Sequence, residues 1–336
     1  MATPAKKKVA LIMGVANNRS IAWACVESFL RTNNYDCILT YQSERFRDKV
    51  DKMVQTANAN HSERQQNMNV VNNNKNDNTG TRILASLPCN VQTDLPSLFH
   101  DVLPDILEQG DRKIDAIVHS LAYANFEGHA DKLSQASWQA FSEAQHISAY
   151  SFLETARCAT ESNLLWHSNP HTINTLHNNT NASDDTSNSK SDNTNSDMSP
   201  SPSSSSLTAL SYIGANRSVP GYHIMGPAKA SLEAIVRGLA AELGTNNSTD
   251  GNSGSGGSIR VNCVSAGPVQ TAAARGIPGF SKLAAMADKA APTGNPAVEQ
   301  VANVVQWVAD SAAVGITGQT IYVDGGYSTT VSVPSE

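Results

Sequence analysis

The sequence predicts a doubly wound α/β domain, a parallel sheet with helices on both faces, on three observations. Short apolar runs such as KVALIM at 8–13, ILASLP at 83–88 and IRVNCV at 259–264 suit strands buried on both sides, and they alternate with stretches of helical periodicity. Three other stretches, 58–80, 168–206 and 245–257, are dominated by Asn, Ser, Thr, Asp and Gly and cannot build a core. Setting those aside leaves about 260 of the 336 residues, the size of one such domain, so 7–327 reads as a single unit with three disordered, low-complexity loop insertions.

Composition narrows the function. A net charge of -6 argues against nucleic-acid binding, and no run of eighteen apolar residues is present to span a membrane. The basic start MATPAKKK runs straight into a strand, which reads as a cytosolic chain; a plastid location would need a transit segment upstream. Cys25, Cys37, Cys89, Cys158 and Cys263 are scattered without C-x-x-C or metal-ligand spacing, as in a reducing compartment, and no metal site is expected. Glycosylation triplets such as Asn178-Asn179-Thr180 arise by chance in Asn-rich sequence and carry no weight.

In chain order, the strand at 8–13 leads through a small-residue loop to a helix from Ser20 to Thr32. Gly14 lets the chain turn closely, and Ser20 is placed to cap a helix whose free amides favour a pyrophosphate. The spacing is not G-x-G-x-x-G, and a structural turn would explain Gly14 as well. A second strand, Cys37 to Tyr41, ends in TYQSER, placing Gln42 where such folds meet the adenosine ribose. No acid stands there to hold a 2′-hydroxyl and no Arg-Lys pair to hold a 2′-phosphate, although Arg45 and Arg47 follow. Asn90-Val91 comes after the strand from Ile83 to Pro88, and HSLAYA ends the strand from Ile114 to Ser120, where His119 reads as a packing residue. A long helix from Ser137 to Thr160 follows.

The next strand leads into Tyr212, and a helix with one broad apolar face runs from Met225 to a stop at Gly244. If that helix already includes Tyr222, Lys229 lies two turns along the same face, about 10 Å away in rise. Phenol and ammonium then address one volume, and the cation favours the phenolate. The last strands are 259–264 and one within GITGQTIYVDGGYS; between them 272–291 is small, Gly- and Ala-rich and weakly periodic, which suits a flap over an acyl chain or an ordinary surface helix.

Spaced Y-x9-Y-x2-M-G-x2-K, Tyr212, Tyr222, Met225, Gly226 and Lys229 resemble the active site of the enoyl-acyl-carrier-protein reductases, which belong to the short-chain dehydrogenase/reductase superfamily. Six residues separate Tyr222 from Lys229, where the superfamily commonly has three. G-V-A-N-x-x-S-I-A-W resembles that family's variant of the glycine-rich loop, with Ser20-Ile21-Ala22 replacing glycines.

The resemblance implies a Rossmann-like fold and reduction of trans-2-enoyl thioesters by hydride transfer from NADH, the last reductive step of type II fatty acid elongation, with NADPH the lesser alternative. It implies that Tyr222 donates to the thioester carbonyl, that Lys229 holds the nicotinamide ribose and biases Tyr222, and that Tyr212 lines the pocket. Gly14, Ser20, Ile21, Gln42, Asn90, Val91, Ser120, Leu121 and Ala122 would surround the cofactor. Backbone at Val269 would orient the carboxamide, and Thr271 would donate to the pyrophosphate.

Acyl carrier protein is the implied partner and a homotetramer the implied assembly, with Asp324-Gly325-Gly326 turning the chain at a subunit interface. Two departures stand out: Asn90 replaces the usual Asp, and Lys282, Lys289 and Thr293-Gly294 replace a more basic flap and an Arg-Arg pair, which weakens the case for carrier docking. The rivals are a related reductase of carbonyls or acyl-coenzyme A, for which the three-residue spacing is expected, and a non-catalytic dinucleotide sensor.

Overall fold

The computed structural model describes residues 7–71, 80–126, 132–166, 204–244, 259–271, 274–277 and 279–330. Strands β1 (Lys8–Met13), β2 (Tyr35–Tyr41), β3 (Ile83–Pro88), β4 (Ala116–His119), β5 (Ser206–Tyr212), β6 (Arg260–Ala266) and β7 (Thr320–Val323) form one parallel sheet in the order β3-β2-β1-β4-β5-β6-β7. The order reverses between β1 and β4, and a crevice outside the carboxyl ends of strands at such a switch point is where doubly wound folds bind ligands.

The helices are α1 (Ile21–Arg31), α2 (Arg47–Val71), α3 (Trp138–Gln145), α4 (Ser151–Glu161), α5 (Met225–Gly244), α6 (Phe280–Ala290) and α7 (Val298–Ala309), with shorter helical turns between 95 and 106. Because strand side chains alternate, β1 sends Val9, Leu11 and Met13 to one face and Ala10 and Ile12 to the other. The first face packs Phe99, Leu103, Phe152, Leu232 and Val236; the second packs Phe29, Leu30, Val301 and Val305. Both cores are apolar layers of the kind the short runs require, and all five cysteines are buried free thiols.

Several expected boundaries move. Strand β2 begins at Tyr35, whose ring meets Phe29 edge-on at 4.9 Å, and the adjoining Asp36 is paired with Arg112 at 2.8 Å. The first insertion, expected as a loop from 58, begins inside α2: Ala57 is buried, and the Asn58 amide both donates to the Ile83 carbonyl and accepts from the Ile83 amide. That tertiary clasp outweighs the poor helix propensity of asparagine.

The second insertion ends earlier than Ser206. Ser206 pairs with Ala116 and Arg260 inside the sheet, and the buried Ser205 hydroxyl donates to the Ile114 carbonyl. What remains of the expected insertions, 72–79, 168–203 and 245–257 with the asparagine triplet, lies outside the described residues.

The long helix expected from Ser137 is capped by Ser137, whose hydroxyl accepts from the Ala140 amide at 3.1 Å, but it is not uniform. A π turn at His146–Tyr150 separates α3 from α4. Such turns reposition a side chain at the cost of regular hydrogen bonding. Here the Ser148 hydroxyl accepts from the Tyr123 amide and donates to the Tyr123 carbonyl, each at 3.0 Å, pinning the loop after β4.

Candidate active site

The carboxyl ends of β1 and β4 touch. Gly14, just after β1, has φ +95, and a Cβ there would stand 2.3 Å from the Ser120 carbonyl oxygen and 2.9 Å from Leu121. Only glycine allows that approach. Ser20 caps α1 as expected: its hydroxyl accepts from the Trp23 amide at 3.2 Å and donates to the Asn17 carbonyl at 2.7 Å. The Ile21 and Ala22 amides that follow have no acceptor among the described residues, leaving donors at the positive end of the helix.

Around this crevice the other expected residues gather. Gln42 is exposed after β2, its amide oxygen 3.4 Å from Arg45, while Arg47 is committed to Glu44 at 2.6 Å. The exposed Asn90 uses its amide oxygen in a local turn, accepting from the Gln92 amide at 3.2 Å. Val91 is a core residue, its side chain packed into the protein. Ser120, Leu121 and the exposed Ala122 form the floor beside Gly14.

On the far side, Val269 donates to the Gly267 carbonyl and its own carbonyl accepts from Thr271, each at 2.8 Å, so the expected backbone pair is folded into two tight turns. The Thr271 hydroxyl accepts from the Ala274 amide at 3.1 Å, which leaves its proton free to donate. A cavity of about 600 Å³ runs from Asn18 and Arg19 past Val269 and Gln270 to Asn295 and Glu299.

The tyrosines and the lysine form the second half of the site. Helix α5 begins at Met225, so Tyr222 is not inside it, contrary to the condition set above. The Tyr222 carbonyl accepts from the Gly226 amide at 3.1 Å, which places the ring at the mouth of the helix. Tyr212 and Tyr222 meet edge to face with centroids 4.8 Å apart. Lys229 is buried and donates to the Leu121 carbonyl at 3.1 Å and the Leu210 carbonyl at 2.7 Å, tying together the chain segments after β4 and within β5. An ammonium has three hydrogens, so one remains.

The electrostatics differ from the expectation that Lys229 pulls Tyr222 toward phenolate. Burial, then the neighbouring Tyr212, pushes the Tyr222 hydroxyl well above the usual phenol range, and burial followed by Tyr327 does the same to Tyr212. The physical reason is that the ammonium is turned to two carbonyls while the rings sit in an apolar cluster. Tyr222 is therefore a protonated donor at neutral pH. The Tyr212 hydroxyl is buried with no partner among the described residues.

His119 is a packing residue as read: it is wholly buried, holds Ser151 at 2.7 Å and meets Phe152 edge-on.

Sequence reading missed the walls of this cluster. Phe126, Val219, Ile277, Leu283 and Tyr327 pack against Tyr212, Ile213, Tyr222 and Met225. Two of them come from the expected flap, which is better organised than its composition suggested: α6 buries Phe280, Ala284 and Ala287 at helical spacing. The i, i+4, i+7 repeat carries the helical alternative for this stretch, and Tyr327 stands directly after the Gly-Gly turn. Thr293-Gly294 has a structural role, since the Thr293 amide and hydroxyl both donate to the Gly325 carbonyl, at 3.1 Å and 3.2 Å. Asp324 closes the neighbouring turn by accepting from the Gly326 and Ser328 amides.

Three comparisons bear on this geometry. A family described as "Enoyl-(Acyl carrier protein) reductase" matches residues 196–328. The NADH enoyl-[acyl-carrier-protein] reductase of Nostoc sp. is 30% identical over 326 residues, covering 95% of this chain and 96% of the relative. Among solved structures, the Bacillus cereus enoyl-acyl carrier protein reductase with NADP+ and indole naphthyridinone superposes with a TM-score of 0.70 at 27% identity, covering 97% of this chain and 98% of the other. The Anaplasma phagocytophilum reductase in complex with NAD does so at 0.68 and 27%, covering 98% and 96%.

Proposed function

This chain belongs to the enoyl-acyl-carrier-protein reductase family of the short-chain dehydrogenase/reductase superfamily, and from that premise we propose the following division of labour among its residues. The reaction is reduction of a trans-2-enoyl-acyl-carrier-protein thioester with NADH, in fatty acid synthesis. NADH supplies a hydride. Gly14, Ser20, Ile21, Ser120, Leu121, Ala122, Val269 and Thr271 would hold it, with Gln42, Asn90 and the Val91 backbone toward the adenosine end. The close approach at Gly14, the free amides of Ile21 and Ala22, and the unused Thr271 proton fit a bound pyrophosphate.

The single observation that carries the catalytic reading is the position of Lys229. Its two carbonyl bonds join the segment at Leu121 to β5 at Leu210, two residues before Tyr212, which supports reading the cofactor and tyrosine sites as adjoining. The remaining Lys229 proton is available to a ribose hydroxyl. Tyr222, kept protonated by burial, would donate a hydrogen bond to the thioester oxygen as hydride addition at C3 builds enolate charge there, and C2 would then take a proton from solvent. Tyr212, Ile277, Leu283 and Tyr327 exclude water and line the acyl path.

Residues 7–327 act as a single domain in this reading, supported by one continuous sheet from Lys8 to Val323. A homotetramer accounts for large apolar side chains outside the core, among them Trp138, which is 79% exposed, with Tyr150, Trp307 and Tyr322. Among the described residues no helix is long and apolar enough to cross a membrane.

The test is NADH oxidation with crotonyl thioesters of acyl carrier protein and of coenzyme A. Oxidation with the carrier-bound substrate supports the proposal. Oxidation confined to β-ketoacyl thioesters would assign the chain to the carbonyl reductases, and none with any thioester would leave only dinucleotide binding.

A further inference from the structure

Helix α5 carries a second buried ionisable group that the mechanism above does not use. Glu233 follows Lys229 by one helical turn on the same face, and their exposures are 7% and 3%. The Ser211 hydroxyl donates to the Glu233 carboxylate at 2.7 Å, and the adjoining Leu210 carbonyl accepts from Lys229, also at 2.7 Å. Consecutive residues of β5 therefore grip consecutive turns of α5, one through backbone and one through side chain, and the next residue is Tyr212. Burying a carboxylate is costly, so the pair calls for a reason.

We infer that Glu233 is a positioning residue for Lys229: its carboxylate lies one turn from the ammonium on the same buried face, and its bond to Ser211 holds the end of β5 that the ammonium grips. The inference rests on Lys229 acting in the site proposed above.

The groups facing Lys229 from the packed elements are His119 on β4, Cys263 on β6 and Glu233 on its own helix. Burial, and then Lys229 itself, holds His119 down to about 3, so it is neutral. Burial and then Glu233 push the Cys263 thiol up to about 12, so it too is neutral where Lys229 titrates. Burial pulls Lys229 down to about 8, with Cys263 and Glu233 opposing. Of these groups only Glu233 bears a negative charge near neutrality. Burial raises its carboxyl, while the Ser211 bond, Arg237 and Lys229 favour the ionised form.

Glu233→Gln keeps an acceptor for Ser211 and removes the charge; Ser211→Ala keeps the charge and removes the bond. In cofactor-free protein with labelled lysine Cε, the Lys229 signal is identified by its loss in Lys229→Arg and followed with pH. Its midpoint is expected to fall by about one unit in Glu233→Gln and to stay in place in Ser211→Ala. NADH titrations by fluorescence are expected to show the alkaline loss of affinity starting about one unit lower in Glu233→Gln, and in Ser211→Ala a weaker affinity with an unshifted pH profile.

A wild-type midpoint in Glu233→Gln, or the same shift in both variants, would overturn the inference. Should Glu233→Gln fail to fold, reciprocity supplies the second measurement: the Glu233 carboxyl should titrate about one unit higher in Lys229→Met than in wild type, and an unmoved titration would refute the coupling. Failure of the enzyme to reduce any enoyl thioester would sink the function while these cofactor-free titrations still decide the coupling.

Discussion

Tyr212 and Tyr222 stand ten residues apart in sequence, yet their rings meet edge to face at a centroid distance of 4.8 Å. Gly214, in the turn between them, permits the contact: a Cβ there would lie 2.4 Å from Cδ1 and 2.7 Å from Cε1 of Tyr222, and 3.3 Å from Tyr212. The tyrosine pair is thus set by a missing side chain as much as by the rings themselves.

Gly214→Ala should therefore displace the Tyr222 ring while leaving the nucleotide half of the cleft intact. Misplacing a catalytic group by an ångström costs on the order of a hundredfold in rate. Turnover on an enoyl thioester is expected to fall by about that factor with NADH affinity close to wild type. Loss of NADH binding in step with turnover would show a general collapse instead.

The two hydroxyls should separate by function. Tyr222→Phe removes the donor proposed for the enolate oxygen, and losing one such donor costs on the order of 3 kcal/mol, about a hundredfold in kcat. Tyr212→Phe removes a buried hydroxyl that has no partner among the described residues, so stability should hold or rise slightly and kcat should change less. Steady-state kinetics on both variants decide it; a Tyr212→Phe enzyme without activity beside an active Tyr222→Phe would reverse the roles.

These assignments show where the sequence was readable. Strands 8–13 and 83–88 and the helix from Met225 to Gly244 appear where apolar runs and helical spacing place them, because each is defined by its own residues. The Ser20 cap was readable for the same reason. What escaped depends on distant partners. The π turn at His146–Tyr150 aims Ser148 at Tyr123, and the helix through Asn58 persists because Ile83 holds both amide atoms. Ile277, Leu283 and Tyr327 reach the tyrosines only once β5, β6 and β7 lie side by side. The polarity of the site was likewise a matter of burial, which is why the phenols rise where a nearby cation alone would lower them.

Lys229→Ala should impair binding as well as rate. The ammonium bridges the Leu121 and Leu210 carbonyls, so its removal frees the segment after β4 from β5 and, in the proposed function, withdraws a donor from the ribose. A charged hydrogen bond is worth about 1.5–3 kcal/mol, and NADH affinity is expected to weaken by about tenfold or more. Fluorescence titration measures this, and an unchanged Kd would contradict the ribose contact.

Stability has a separate anchor in Arg260 at the head of β6. Its buried guanidinium donates to the Val308, Ala309, Asp310 and Ala313 carbonyls, at 2.7 Å to Val308 and 3.1 Å to the others, and so caps the C-terminal end of α7. Arg260→Leu would strand those carbonyls in an apolar setting. A loss of about 3 kcal/mol is expected, read as a lower denaturation midpoint with an unchanged denaturant slope.

The last expectation concerns acid. Ser151 gives its own proton to the Ile147 carbonyl, so His119 Nε2 carries the ring hydrogen toward Ser151 and Nδ1 is left bare in the core. Burial, reinforced by Lys229, lowers His119 from 6.5 to about 3. A group whose folded pKa is depressed contributes stability that is present above its unfolded pKa and lost as pH falls, because the unfolded chain then takes the proton and the folded one does not. Between about pH 6.5 and about pH 3 this histidine should cost about 1.4 kcal/mol of stability per pH unit. His119→Gln, which keeps a donor for Ser151 but cannot titrate, should flatten the acid limb by that slope. Urea denaturation midpoints across this range test it, and parallel limbs for wild type and variant would mean that His119 is protonated in the folded protein after all.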